Sequence, residues 1–252
     1  MTNGNQIRYF TLPRRYRGPS LSGNGGYAAG SLVRLLDQAG GTVSLKFPPP
    51  LDTPLPVEEV VNERGALLIV RRPDSGDTMM EATRDLPKLE VPPPPSLDDA
   101  RRASAAFVCR TNHPFPECFV CGIARQDGLS IHPGMTSPGG IVAASWIPDP
   151  SLPAINGVVD PAVVWAALDC PGAFAAMGTT VRELMLAQMA ASLNAPVQLG
   201  CEYIVMGWSV STEGRKERVG TALVSSSGEV VATAAALWIA PRRPDELKGS
   251  PS

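Results

Sequence analysis

Three groups of residues in this chain have the types and spacing to do chemistry. The first is Asn24-Gly25-Gly26, which opens a helical pattern in GNGGYAAGSLVRLLDQAG, residues 23–40. The first N–H groups of a helix have no intrahelical acceptor and carry partial positive charge, which suits a developing oxyanion. Glycine there lets a carbonyl approach the backbone. The second is Asp169, a carboxylate among apolar neighbours in VVDPAVVWAALDCPGAF, residues 158–174. Desolvation there predicts a raised pKa, which favours work as a base. The third is CRTNHPFPECFVCG, where Cys109, His113, Cys118 and Cys121 offer soft donors and Cys118-x-x-Cys121 has the spacing of a zinc site. Each group also has a plain structural reading. Asn-Gly-Gly makes an ordinary turn and N-cap, an Asp ends a helix before Pro171-Gly172, and buried thiols pack as small apolar residues.

The missing features narrow the field. The chain has 252 residues, 44% of them apolar, enough for a globular fold with a substantial core. A net charge of -2 without a run of basic residues argues against nucleic acid as a partner. No signal pattern and no bilayer-length apolar stretch appear, and the five cysteines do not form a disulfide framework, so a cytoplasmic protein with no membrane partner is expected. No phosphate-binding loop, nucleophile elbow or dinucleotide fingerprint is present. His113 and His132, the two histidines, each precede a proline outside the helical patterns, which argues against chemistry that pairs a histidine with an acid.

The elements that must position these residues fall into two similar runs. KLEVPPPPSLDDARR, with four consecutive prolines, reads as an extended, exposed connector. This predicts an N-terminal unit over residues 1–90, a linker over 91–104, a C-terminal unit over 105–242 and a flexible tail over 243–252. In the first unit the helical pattern covers Tyr27 to Leu36, with Arg34 and Asp37 toward its end and Gly40-Gly41 as the stop. After it TVSLKF, LPVEEVV, GALLIVRR and TMMEATRD read as antiparallel strands. The second unit offers strands LSIHPG and GIVAASWI, then one helix from Asp160 to Met177. ELMLAQMAAS, VQLGCEYIVMGWSV, ERVGTALVSS and EVVATAAALWIA follow as strands. ELMLAQMAAS has helix-forming composition, and its place in the repeat makes it a strand. Leu51-Asp52-Thr53-Pro54-Leu55 and Leu193-Asn194-Ala195-Pro196-Val197 stand at corresponding places.

The order of elements, with NGGYAAG, PPPLDTPL, ECFVCGIARQDGLSI and VVDPAVVWAALDCPGAFAA, resembles the double hotdog acyl-CoA thioesterase-like family, including thioesterases of the phenylacetate-pathway type, from about Phe10 to Ala240. The resemblance implies an α+β fold: a tandem (double) hotdog, each unit a long central helix wrapped by an antiparallel β-sheet. It implies a thioester hydrolase with one active site per chain between the units, acting on an acyl-CoA or acyl-carrier substrate. Coenzyme A would enter as part of the substrate, with no other cofactor, and a homodimer or higher homo-oligomer is expected.

In the family a His-Gly-Gly opens the central helix and the catalytic carboxylate lies nine residues further on. Asn24-Gly25-Gly26 stands at the first place, where the histidine has become asparagine. Nine residues beyond Asn24 is Val33, whereas nine beyond Asp160 is Asp169. The second helix begins Asp160-Pro161-Ala162, with a proline that has no N–H to offer. One helix keeps the donors and the other the carboxylate. Gly26, with Gly25, would then bind the thioester oxygen while Asp169 activates water or attacks the carbonyl. Family members with an Asp, Gln and Thr or Ser set carry a glutamine late in the final strand, and VATAAALWIA has none. Gln188 and Ser192 are the nearest polar candidates, and Tyr27, Trp165 and Phe174 are expected along the substrate tunnel. A catalytically inactive hotdog protein that binds an acyl thioester or another apolar ligand is the alternative.

Overall fold

The computed structural model describes residues 8–36, 40–63, 65–136 and 140–242. Asp37 and the expected tail over 243–252 lie outside the described residues. The first half contains β1 (Arg8–Phe10), α1 (Gly25–Val33), β2 (Gly40–Leu45), β3 (Leu55–Asn62), β4 (Gly65–Arg71) and β5 (Thr78–Thr83). Then come α2 (Leu97–Ala105), β6 (Gly134–Met135), β7 (Ile141–Trp146) and a small hairpin of β8 (Ala154–Ile155) and β9 (Val158–Val159). The described residues end with α3 (Pro161–Ala167), α4 (Cys170–Met177), β10 (Met185–Leu193), β11 (Tyr203–Glu213), β12 (Lys216–Ser225) and β13 (Val230–Ile239).

Among the described residues, eleven strands form one antiparallel sheet in the order β1-β3-β4-β5-β2-β10-β13-β12-β11-β7-β6. Read outward from its middle, the first half runs β2-β5-β4-β3-β1 and the second β10-β13-β12-β11-β7, so each half lays its strands in the same order about the β2–β10 seam. This is the double hotdog arrangement. The seam is paired from Gln188 opposite Ser44 to Ser192 opposite Gly40. Gly40 and Gly41 belong to it instead of stopping a helix: a Cβ on Gly40 would lie 2.5 Å from the Ala191 carbonyl oxygen, and one on Gly41 2.6 Å from that of Thr83. The helix-forming ELMLAQMAAS is a strand because it completes the backbone pairing of both neighbours, β2 and β13.

The central helices lie inside the curve of this sheet, and one core cluster joins both halves, with Leu32 and Val33 of α1, Val43 of β2, Trp165 of α3 and Met189 of β10. α1 and α3 cross antiparallel at close range. A Cβ on Gly30 would sit 2.7 Å from Trp165 Cβ, and one on Gly26 2.7 Å from the Trp165 carbonyl oxygen. Residues four apart share a helix face, so this pair of glycines makes a flat surface on which α3 rests.

Three further expectations need correction. The connector is not extended throughout: Ser96 accepts from the Asp99 N–H and caps α2, whose Ala100 and Ala103 are buried. LSIHPG is loop up to Gly134, which begins β6; within it the Leu129 and Ile131 N–H groups bond to the Phe119 and Val120 carbonyls. The expected single helix from Asp160 to Met177 is two, α3 and α4, interrupted at Leu168–Asp169. Pro171 has no N–H for the carbonyl four residues back, and the chain tightens there, the Asp169 N–H bonding to the Ala166 carbonyl at 3.0 Å. Among the described residues no helix is long and apolar enough to cross a membrane.

Candidate active site

Asn24 is the N-cap of α1. Its Oδ1 accepts from the Tyr27 N–H at 2.9 Å, which satisfies one of the helix's free donors. An amide also carries donors, and Asn24 Nδ2 reaches across to Asp169 Oδ2 at 2.8 Å. Serine or aspartate could make the same cap without making that second bond. The Gly26 N–H donates to the same oxygen at 3.0 Å. Asn24 and Asp169 are each 2% exposed, so this contact between the two halves is dry.

The break between α3 and α4 is what lets Asp169 enter this contact. Its side chain caps neither of its own helices and instead extends to the start of α1. Oδ2 accepts twice, while Oδ1 is buried with no partner among the described residues. Burial raises the carboxyl pKa to about 7; the Gly26 N–H pulls it down, the neighbouring Cys118 pushes it up, and the Asn24 amide lowers it. The result is a carboxylate anchored by one oxygen and unsatisfied at the other.

A cavity of about 390 Å³ opens at this point, lined by Asn24, Gly25 and Asp169 and by apolar side chains including Phe115, Phe174, Met177 and Leu184. Gly25, the first residue of α1, has no intrahelical acceptor for its N–H. The two glycines therefore differ. Gly25 faces the cavity, whereas Gly26 faces Asp169, and a Cβ on it would lie 2.6 Å from Asp169 Cβ. The expected pair of oxyanion donors is thus split, because the Gly26 N–H is already spent on the carboxylate.

Of the expected substrate contacts, Phe174 lines the cavity and the others lie elsewhere. Tyr27 stacks on Tyr16, ring centroids 3.7 Å apart. Trp165 is 2% exposed and packs on Gly30 in the α1–α3 crossing. Gln188 donates from Nε2 to Ser44 Oγ at 3.1 Å across the seam, and Ser192 donates to Asn194 Oδ1. The periodicity that marks these positions as inward-facing cannot separate a face against another helix or strand from one against a cavity.

The cysteine group also regroups. Cys118 and Cys121 are joined by Cys170, the three Sγ atoms lying within 4.8 Å of one another. Cys109 is buried outside this cluster, and His113 accepts the Phe115 N–H at Nδ1, 2.9 Å away. Cys170 was missed although it adjoins Asp169, because only the fold brings residue 170 to residue 118. The CFVCG segment is held against the entry to α1 by the Phe119 N–H, which donates to the Arg17 carbonyl at 2.7 Å, and by Phe119 edge-on to Tyr16.

No family model matches the chain, and no curated protein does. Solved structures do. The TesB protein of Mycobacterium avium subspecies paratuberculosis is similar over 96% of both chains, with a TM-score of 0.63 and 16% identity. An acyl-CoA thioesterase II, TesB2, from Mycobacterium marinum is similar over 97% of this chain and 96% of its own, with a TM-score of 0.62 and 13% identity. A hot dog protein of unknown function from Alicyclobacillus acidocaldarius, at 0.63 and 13% identity, covers 96% of each. At such identities the likeness is one of architecture, and it runs end to end: this chain has the double hotdog fold found in acyl-CoA thioesterase II structures.

Proposed function

We propose that the chain is a thioester hydrolase of the acyl-CoA class, with one active site per chain built between its two halves. The observation that carries the reading is the half-satisfied Asp169 carboxylate, fixed through Oδ2 at the cavity by donors from the other half. In the proposed reaction Asp169 takes a proton from water as the water oxygen bonds to the thioester carbon. The Gly25 N–H at the positive end of α1 receives the oxyanion. The tetrahedral intermediate then expels the thiolate as the C–S bond breaks, and the proton held by Asp169 returns to the sulfur. The apolar cavity would take the acyl group.

A catalytically silent binder of the same ligands is favoured by one observation, the engagement of the Gly26 N–H, which leaves the oxyanion with one fewer donor. The two readings separate in one experiment: thiol release from short, medium, long and aromatic acyl-CoAs by wild type and Asp169→Asn. Asparagine retains an acceptor for Gly26 and Asn24. Hydrolysis requires turnover by wild type that falls about 10²–10⁴-fold in the variant. Background rates in both, with saturable acyl-CoA binding, select the silent binder.

A further inference from the structure

The three clustered thiols have no part in that reaction. We propose that Cys118, Cys121 and Cys170 form a binding site for a thiophilic closed-shell cation, Zn²⁺ or Cu⁺, beside the Asp169 cavity.

The geometry fits the ion. A tetrahedral Zn–S distance of about 2.3 Å sets sulfurs about 3.8 Å apart, and Cys118 Sγ lies 3.7 Å from Cys170 Sγ. All three sulfurs are within 4.8 Å of one another, so a small closure completes a three-sulfur face. Three ligands leave a tetrahedral ion one further position, and the cavity, which all three cysteines line, gives it access to solvent and solute.

The backbone around Cys118 supports the assignment independently. Cys118–Gly122 is a tight turn closed by the Gly122 N–H on the Cys118 carbonyl at 2.9 Å. A Cβ at position 122 would lie 2.4 Å from that carbonyl oxygen and 2.6 Å from the Pro116 oxygen, so the turn requires glycine there. Asn24 Nδ2 approaches the Cys118 sulfur at 3.9 Å. A donor at the back of a ligand sulfur fixes its orientation toward a metal. Cys170, the first residue of α4, brings its sulfur to this turn from the other element.

The test uses the full-length protein, metal-stripped and reduced under anaerobic conditions. Titration with Co²⁺ should give sulfur-to-cobalt charge-transfer absorption that saturates at a single equivalent, is displaced by Zn²⁺, and releases protons on binding. Competition with a Cu⁺ chelator distinguishes the two ions. Cys118→Ser and Cys170→Ser should each weaken binding by more than the roughly 10–100-fold that losing an outer-shell partner costs, while Cys201→Ser, at an exposed cysteine, should change nothing. If the serine variants fail to fold, alkylation of wild type mapped by mass spectrometry answers the same question. The metal should protect Cys118, Cys121 and Cys170 and leave Cys201 reactive. No charge-transfer band, wild-type affinity in Cys170→Ser, or no protection overturns the site. So does a reduced protein that refuses both ions while mild oxidation yields a Cys118–Cys170 disulfide.

Discussion

The starts of α1 and α3 occupy matching places in the two halves and are capped by side chains that differ in one group, Asn24 and Asp160. Both use one oxygen for the cap: Asn24 Oδ1 takes the Tyr27 N–H, and Asp160 Oδ1 takes the Ala162 N–H at 2.8 Å. They part at the other end of the side chain. Asn24 donates inward to Asp169, whereas Asp160 Oδ2 turns outward to Arg34 at 2.9 Å. Nine residues further along, one pattern reaches the buried Val33 and the other Asp169. A common capping position thus meets a buried carboxylate in one half and a surface ion-pair partner in the other. The amide donor makes the difference.

The comparison is broken most severely at Asp169. Asp169→Asn should cost two or more orders of magnitude in thiol release and yet stabilise the metal-free fold. With a folded pKa of about 7 above an ordinary 3.8, the native state holds this proton more tightly than the unfolded chain. The contribution of this group to wild-type stability is therefore fully present below the ordinary value and falls as pH rises between the two. At about 1.4 kcal/mol per pKa unit the asparagine variant should gain up to about 4 kcal/mol on wild type by pH 8 and nothing near pH 3. Denaturant melts across that range check it; a gain independent of pH would refute the buried-charge account.

Gly26→Ala places on α1 the residue that α3 carries at the matching position, Ala162. With the new methyl 2.6 Å from Asp169 Cβ, overpacking should cost about 1–3 kcal/mol, read as a lower unfolding midpoint in urea. Asn24→Asp copies the α3 cap outright. It keeps the acceptor for Tyr27 but sets oxygen against oxygen at Asp169, and should cost a similar or smaller amount, about 1–2 kcal/mol, together with a loss of thiol release. The reciprocal change, Asp160→Asn, keeps its cap and gives up only the ion pair to Arg34, whose side chain is 57% exposed. Stability should move by less than about 1 kcal/mol and thiol release not at all. Equal effects from the two cap exchanges would mean that the halves are not functionally distinct.

Much of this was legible in the chain. The tandem order of elements, the strand status of ELMLAQMAAS and the positions of Asn24 and Asp169 could all be read from spacing, turn residues and resemblance. The rest depends on facts that local patterns do not carry. Trp165 and Phe174 look alike in sequence, both large and inward, but Trp165 meets a glycine of the facing helix and Phe174 meets the cavity. Gly25 and Gly26 differ by one 100° step around α1, and that step decides which is exposed to a ligand. The helix break had its signal in Pro171-Gly172, whereas α2 was masked by the four prolines before its Ser96 cap.

The bond from Asn24 to Asp169 spans 145 residues. At synthesis rates of roughly 5–20 residues per second, the donors of α1 leave the ribosome about 7–29 s before the carboxylate that will use them exists. Local contacts of the first half form long before that, so the site waits on the second half of the chain. Hydrolysis, or any ligand response that needs both halves, would therefore report on their docking, and a truncated first half would present the start of α1 without its counterpart.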